Sequence, residues 1–208
     1  MRVISGEHRG RHLQAVPGKG TRPTTDKVKE SIFNMIGPYF DGGVALDLYA
    51  GTGGLGIEAL SRGMDKAVFV DADHKAHGVV KQNIETLKLT SRAELFKIDA
   101  GRALKALAKR SLQFDVVFLD PPYAYQKIAE EIRFLQEADM LAPDAWIVAE
   151  TDAGVDLPEE IGKCVVTRVA TYGDTKITLY LHDTDADSPD ADQSSADEEH
   201  DPTDERGE

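Results

Sequence analysis

The sequence predicts an α/β protein whose parallel sheet is covered on both faces and finished by an antiparallel hairpin. Three observations predict it. Short apolar runs alternate with helix-period segments from Val44 to Ala149. Those runs are near-continuously apolar, as strands buried on both faces are. The last stretch breaks the rhythm: residues 163–171 and 175–182 are two β-rich runs around Tyr172-Gly173-Asp174, a hairpin signal.

Taken in order, residues 2–16 alternate weakly and break at Gly6 and Gly10, which suggests a short β-hairpin or ribbon. Residues 17–25, PGKGTRPTT, are a loop. A helix should begin near Thr25–Asp26, where a Thr or Asp side chain can cap free N–H groups. Val28, Ile32, Met35 and Ile36 recur at helical spacing, and Gly37-Pro38 ends the run. Strands follow at 44–48, 67–71, 93–98, 114–119 and 145–149, with helices near 55–62, 74–88, 101–110 and 126–140. The two hairpin strands bring the sheet to seven. The domain division is a basic extension over 1–24, the sheet domain over 25–182 and a tail over 183–208.

The 208 residues suit one domain with an appendage. No apolar run approaches the roughly 20 residues of a membrane span. The start, MRVISGEHRGR, lacks a signal-peptide core, so a cytoplasmic protein is expected. A lone cysteine, Cys164, excludes a disulfide framework and a cysteine-based zinc site. The six histidines have no metal spacing. The net charge of −13 is uneven. Residues 183–208 hold 12 acidic residues and one basic, Arg206, whereas residues 1–40 hold seven basic and three acidic. The tail has no aliphatic residue larger than alanine and no aromatic, so it is expected to be disordered. The body is nearly neutral with a basic front, which leaves a nucleic-acid partner open.

Two motifs carry chemistry. The first is DLYAGTGGLG at 47–56, a glycine loop between a strand and a helix. Glycines let backbone approach a ligand, and a helix N-terminus offers unpaired N–H groups. Gly51, Gly53 and Gly56 match the dinucleotide fingerprint, and Asp71 lies 20 residues after Gly51. A nicotinamide enzyme is one reading. Asp47 points elsewhere. A carboxylate at that strand end disfavours a pyrophosphate and suits a cation, such as the ammonium or sulfonium of S-adenosylmethionine. Asp71 and Asp99 end later strands and can accept from ribose hydroxyls and an adenine amine; each can equally be a helix cap or turn residue.

The second motif is FDVVFLDPPY at 114–123. Two prolines cannot continue a ladder, so the chain turns stiffly at the carboxyl edge, where open α/β sheets bind ligands. This arrangement suits methylation of a planar exocyclic amine, whose lone pair is delocalised. The Asp120 carboxylate and the Pro121 carbonyl can accept its two hydrogens, Pro122 stiffens the turn, and Tyr123 can stack on the base.

With both motifs on the page, the chain resembles the class I S-adenosylmethionine-dependent methyltransferases, a Rossmann-like fold. Within them it is similar to the RsmD family, the 16S ribosomal RNA guanine-N2 methyltransferases. The resemblance rests on RVISGEHRGRHL at 2–13, RPTTDKVKESIFN at 22–34, DLYAGTGGLGIEALSRG at 47–63 and FLDPPY at 118–123. It implies that Asp47, Ala50, Gly51 and Gly53 line the cofactor pocket. It implies that Asp71 holds the ribose, Asp99 with Ala100 the adenine, and Asp120 to Tyr123 the target amine. Where relatives often carry Glu, Asp71 is one methylene shorter and keeps the same acceptor. Arg22, Thr24 and Thr25 precede a helix N-terminus and can bind an anion, either the methionine carboxylate or an RNA phosphate. Arg9, Arg11 and Lys19 can meet phosphates. The expected partner is 16S ribosomal RNA in a partly or fully assembled small subunit, met by a monomer. The competing readings are another D/N-P-P-Y amino methyltransferase, acting on DNA adenine or a protein glutamine, and a non-catalytic adenosyl-ligand binding module.

Overall fold

The computed structural model of the chain describes residues 1–18, 25–122 and 125–184. Helix α1 spans Asp26–Ile36, and Thr25 caps it: its Oγ1 accepts from the Val28 N–H at 3.3 Å. Strands β1 (Val44–Asp47), β2 (Lys66–Val70), β3 (Ala93–Phe96), β4 (Phe114–Leu119) and β5 (Leu141–Asp152) then alternate with α2 (Gly54–Ser61), α3 (His74–Thr86), α4 (Ala100–Leu107) and α5 (Tyr125–Glu137). Strands β6 (Glu160–Ile161), β7 (Cys164–Tyr172) and β8 (Thr175–His182) close the chain.

The sheet order is β3-β2-β1-β4-β5-β8-β7-β6. Strands β1 to β5 pair in parallel; β8 runs antiparallel to β5, and β7 antiparallel to β8. The reversal of order between β2-β1 and β4-β5 opens a crevice at the carboxyl ends. The alternation, the parallel pairing and the closing hairpin match the sequence expectation. One face packs Ile32, Phe33, Ile57, Leu60 and Phe69 from α1, α2 and β2; the other packs Leu104, Leu107, Ile128, Ile132 and Leu135 from α4 and α5. Each such side chain contributes roughly 1.5–3 kcal/mol by leaving water.

Three differences have physical reasons. The sheet has eight strands, not seven. The additional β6 is two residues long, paired with Val165 and Cys164 at the edge, too short to leave a period. Strand β5 begins at Leu141 rather than 145. Its early part carries Pro143 and a positive φ at Asp144, and the register against β4 shifts there. The N-terminal hairpin reduces to a single bridge between Arg2 and His12. Beside it, Val3 N–H donates to the Arg11 carbonyl and Leu13 N–H to the Met1 carbonyl, but other backbone groups go to helix side chains. Glu58 accepts from the Ile4 and Ser5 N–H groups, Ser61 Oγ from His8, and Asn83 Oδ1 from Gln14. Gly6 makes this possible: its φ is +87°, and a Cβ would fall 1.8 Å from the Ser61 carbonyl oxygen.

Candidate active site

The carboxyl ends of β1, β2 and β4 open on a cavity of about 980 Å³. Met1, Ala15 and Val16 of the N-terminal segment also line it.

Asp47 ends β1 at 3 % exposure. Its Oδ2 accepts from the Gly56 N–H at 3.0 Å, within the first turn of α2. That carboxylate occupies the helix N-terminus that a dinucleotide pyrophosphate would need, which weighs against the nicotinamide reading. Burial pushes the Asp47 carboxyl up to about 7; the Gly56 hydrogen bond opposes the shift and Asp71 adds to it. Ala50 and Gly51 line the cavity, and Gly51 adopts φ +57°. Asp71 clips this loop to β2, with Oδ2 accepting from Gly51 N–H at 2.9 Å and Oδ1 from Asp73 N–H at 2.8 Å. Gly53 faces the core: its φ is +79°, and a Cβ would sit 3.2 Å from Ile57 and Val80. Asp99 and Ala100 line the cavity, and Asp99 Oδ1 caps α4 by accepting from Arg102 N–H at 3.0 Å.

Asp120 stands where β4 ends, and Pro121 and Pro122 follow it along the cavity wall. Burial raises the Asp120 carboxyl well above the usual carboxylate range; Glu150 and then Asp47 raise it further. Three acids from neighbouring strands therefore share one cavity. A cationic guest beside Asp47 favours its ionised form. Tyr123 lies outside the described residues.

The other expected residues are placed elsewhere. Thr25 caps α1 and is not among the residues lining the cavity. Arg9 and Arg11 are exposed on the N-terminal segment. Lys19, Arg22 and Thr24 lie outside the described residues, as does the tail from 185 onward.

Sequence reasoning missed several groups. Glu150 follows the apolar run of β5, and its position at a parallel strand's carboxyl end was the available signal. Lys29 is 0 % exposed, lines the cavity, and pairs with Glu58 at 3.3 Å while donating to the Arg2 carbonyl at 2.6 Å. Burial lowers its pKa. Tyr49 and Glu131, bonded to each other in the cavity wall, left no sequence signal.

The strand order, the glycine loop and the Asp-Pro-Pro turn define a class I, S-adenosylmethionine-dependent methyltransferase. Comparison with known proteins narrows this. Residues 1–181 match the family model described as Conserved hypothetical protein 95, and the chain belongs to that family. It is 58% identical over 180 residues to YlbH of Bacillus subtilis, covering 86% of this chain and 98% of that one. It is 40% identical over 153 residues to the ribosomal RNA small subunit methyltransferase D of Haemophilus influenzae, covering 73% and 79%. A solved structure titled as a conserved hypothetical protein of Streptococcus pyogenes superposes with TM-score 0.71 at 45% identity, covering 75% of this chain and 96% of that one. The family is one of ribosomal RNA methyltransferases, the RsmD and YlbH proteins among them.

Proposed function

We propose that the protein transfers a methyl group from S-adenosylmethionine to the exocyclic N2 amine of a guanine in small-subunit ribosomal RNA. The observation that carries this is Asp120-Pro121-Pro122 at the end of β4, beside Asp47 and Glu150 in one cavity, in a chain 40% identical to a small-subunit methyltransferase.

The residues present fit the cofactor. Asp47, with Glu150, supplies the negative field that a sulfonium and an ammonium need. Ala50 and Gly51 give close backbone approach. Asp71 faces the ribose, and Asp99 with Ala100 faces the adenine. When bound, the cofactor supplies an electrophilic methyl carbon on sulfur. The chain's own groups do the rest. The Asp120 carboxylate and the Pro121 carbonyl accept the two amine hydrogens and turn the nitrogen lone pair toward that carbon. Asp120 takes the proton that the nitrogen sheds. Its raised affinity for a proton suits that task. Positioning of this kind supplies much of the rate.

Arg9, Arg11, Arg22 and Thr24 are assigned to RNA phosphates, Thr25 to the anion side of the same helix start, and Tyr123 to stacking on the base. The substrate is a base presented on a partly or fully assembled small subunit, in keeping with the small-subunit methyltransferases among the relatives. The protein acts in the cytoplasm as a monomer. The test is transfer from labelled adenosylmethionine to naked 16S RNA, to small subunits lacking the modification and to duplex DNA, with the labelled nucleoside identified. N2-methylguanosine from subunits is expected; label in DNA or protein overturns the substrate assignment.

A further inference from the structure

One buried polar group in the cavity wall has no task in the reaction above. Glu131 lies in α5, the helix that follows the Asp120-Pro121-Pro122 turn, and is 8 % exposed. Its Oε1 accepts a hydrogen bond from the Tyr49 hydroxyl, just beyond β1. Its Oε2 is buried and has no hydrogen-bond partner among the described residues. Both side chains line the same cavity as Asp120. Burial pushes the Glu131 carboxyl up to about 7; the Tyr49 hydrogen bond and Lys127 favour its ionised form and Glu130 opposes it. Neither Lys127 nor Glu130 is a hydrogen-bond partner of Oε2 among the described residues.

An unmet buried acceptor costs free energy, and folded proteins leave few of them. Here the unmet oxygen borders open space and its partner oxygen is tied in place. Such a group is preorganised for a donor that arrives with a ligand. The donor's identity follows from the neighbouring turn. Guanine carries its N1–H beside the N2 amine, on one edge. If the Asp120 turn takes the amine hydrogens, the next acceptor along that edge faces N1–H. Adenine presents a lone pair at its N1, which a carboxylate repels. Enzymes that read an extruded base do so along this edge.

We propose that Glu131 Oε2 accepts the N1–H of the target guanine, with Tyr49 holding the carboxyl in place, and that this pair admits guanine and rejects adenine. The inference rests on the guanine-amine reading. A site built around a hydrogen bond rejects analogues that lack the group far more strongly than an apolar pocket does.

The test pairs a base that lacks N1–H, and with it the C6 oxygen, with variants that lack the acceptor, so that only the N1–H contact links the two. The base that the wild type methylates is first located on small subunits. That base is then replaced by 2-aminopurine, which keeps the C2 amine and lacks N1–H. The wild type should discriminate against 2-aminopurine by about 30-fold in kcat/KM, as loss of one hydrogen bond to a charged group implies. Glu131→Leu should lose about as much on guanine and no longer distinguish the two bases. Tyr49→Phe should fall between. Affinity for adenosylhomocysteine, read by calorimetry, should not change, and the melting temperature of Glu131→Leu should stay level or rise. Glu131→Met, which removes the acceptor and keeps the unbranched side-chain length, repeats the measurement if the Leu variant does not fold. The proposal is overturned if the wild type uses both bases equally, or if the variants match its rate. It is also overturned if adenosylhomocysteine affinity falls with the rate, which would put the carboxyl at the cofactor's adenine instead. Absence of N2-methylguanosine with the wild type would sink the guanine reading and this inference together, and it would be seen before any variant is made.

Discussion

Asp120 and Asp47 are both buried acids, yet their surroundings give them different work. Asp120 sits on the proline turn, and removing its carboxylate leaves the glycine loop untouched. Asp120→Ala should therefore keep cofactor affinity and lose about 100-fold or more in turnover, the loss expected for a positioned acceptor. Near-wild-type turnover would refute the amine-orientation argument. Asp47 touches the loop itself, and its raised pKa makes its effect pH-dependent. In the folded protein it holds a proton up to about pH 7, above its ordinary value of 3.8. The folded state thus binds more protons than the unfolded one between those values, so this group lowers stability as pH rises through the window. A cationic ligand favours the ionised form and expels that proton. Adenosylmethionine affinity should rise between pH 5.5 and 7, by up to about tenfold per unit, and level off above. Calorimetry in buffers of different ionisation heat would detect the released proton, and Asp47→Asn should flatten the profile. A flat wild-type profile would show that Asp47 does not meet the cation. Both acids were legible in the sequence because a strand end before glycines or prolines marks each of them. Lys29 and Glu131 were not, since their partners lie 20 or more residues away and only packing brings them together.

Among the elements, α2 carries more than its own eight residues. Glu58 is fully buried between Lys29 of α1 and Arg62, bonded to the latter at 2.8 Å. It also accepts two backbone N–H groups of the N-terminal segment. Removing it would strand two buried cations and two half-buried donors. Glu58→Ala should cost about 3–5 kcal/mol, read as a lower urea midpoint. A cost under about 1 kcal/mol would mean that water replaces the carboxylate. The same contacts explain where element prediction succeeded and failed. The parallel strands and their helices bury whole faces, so their periods are strong. Residues 2–16 alternate too, but the N–H groups of Ile4, Ser5, His8 and Gln14 end on Glu58, Ser61 and Asn83, partners that no local pattern shows. Strand β6 has two residues and no period at all.

At the scale of the whole molecule, the N-terminal segment joins the charged surface to the cavity. Asn83 of α3 donates both to the Gln14 carbonyl at 3.1 Å and to the Thr52 carbonyl of the glycine loop at 2.9 Å. Arg9 and Arg11 are thus carried by a segment whose other residues, Met1 and Ala15, form the cavity wall. RNA phosphates on this basic front would lie beside the reacting base, whatever the overall charge of the chain. The acidic excess belongs to the far end of the sequence, past β8, whose last residue is His182. The composition from 185 to 208 offers nothing for the core to bury. Deleting residues 185–208 should therefore change stability by no more than about 0.5 kcal/mol, the scale of surface changes. It should also remove like charge that competes with phosphates, so affinity for small subunits should hold or improve at low salt and converge with the full chain at high salt. A large drop in melting temperature would mean that the tail packs on the body. A loss of subunit affinity would mean that it contacts the substrate directly.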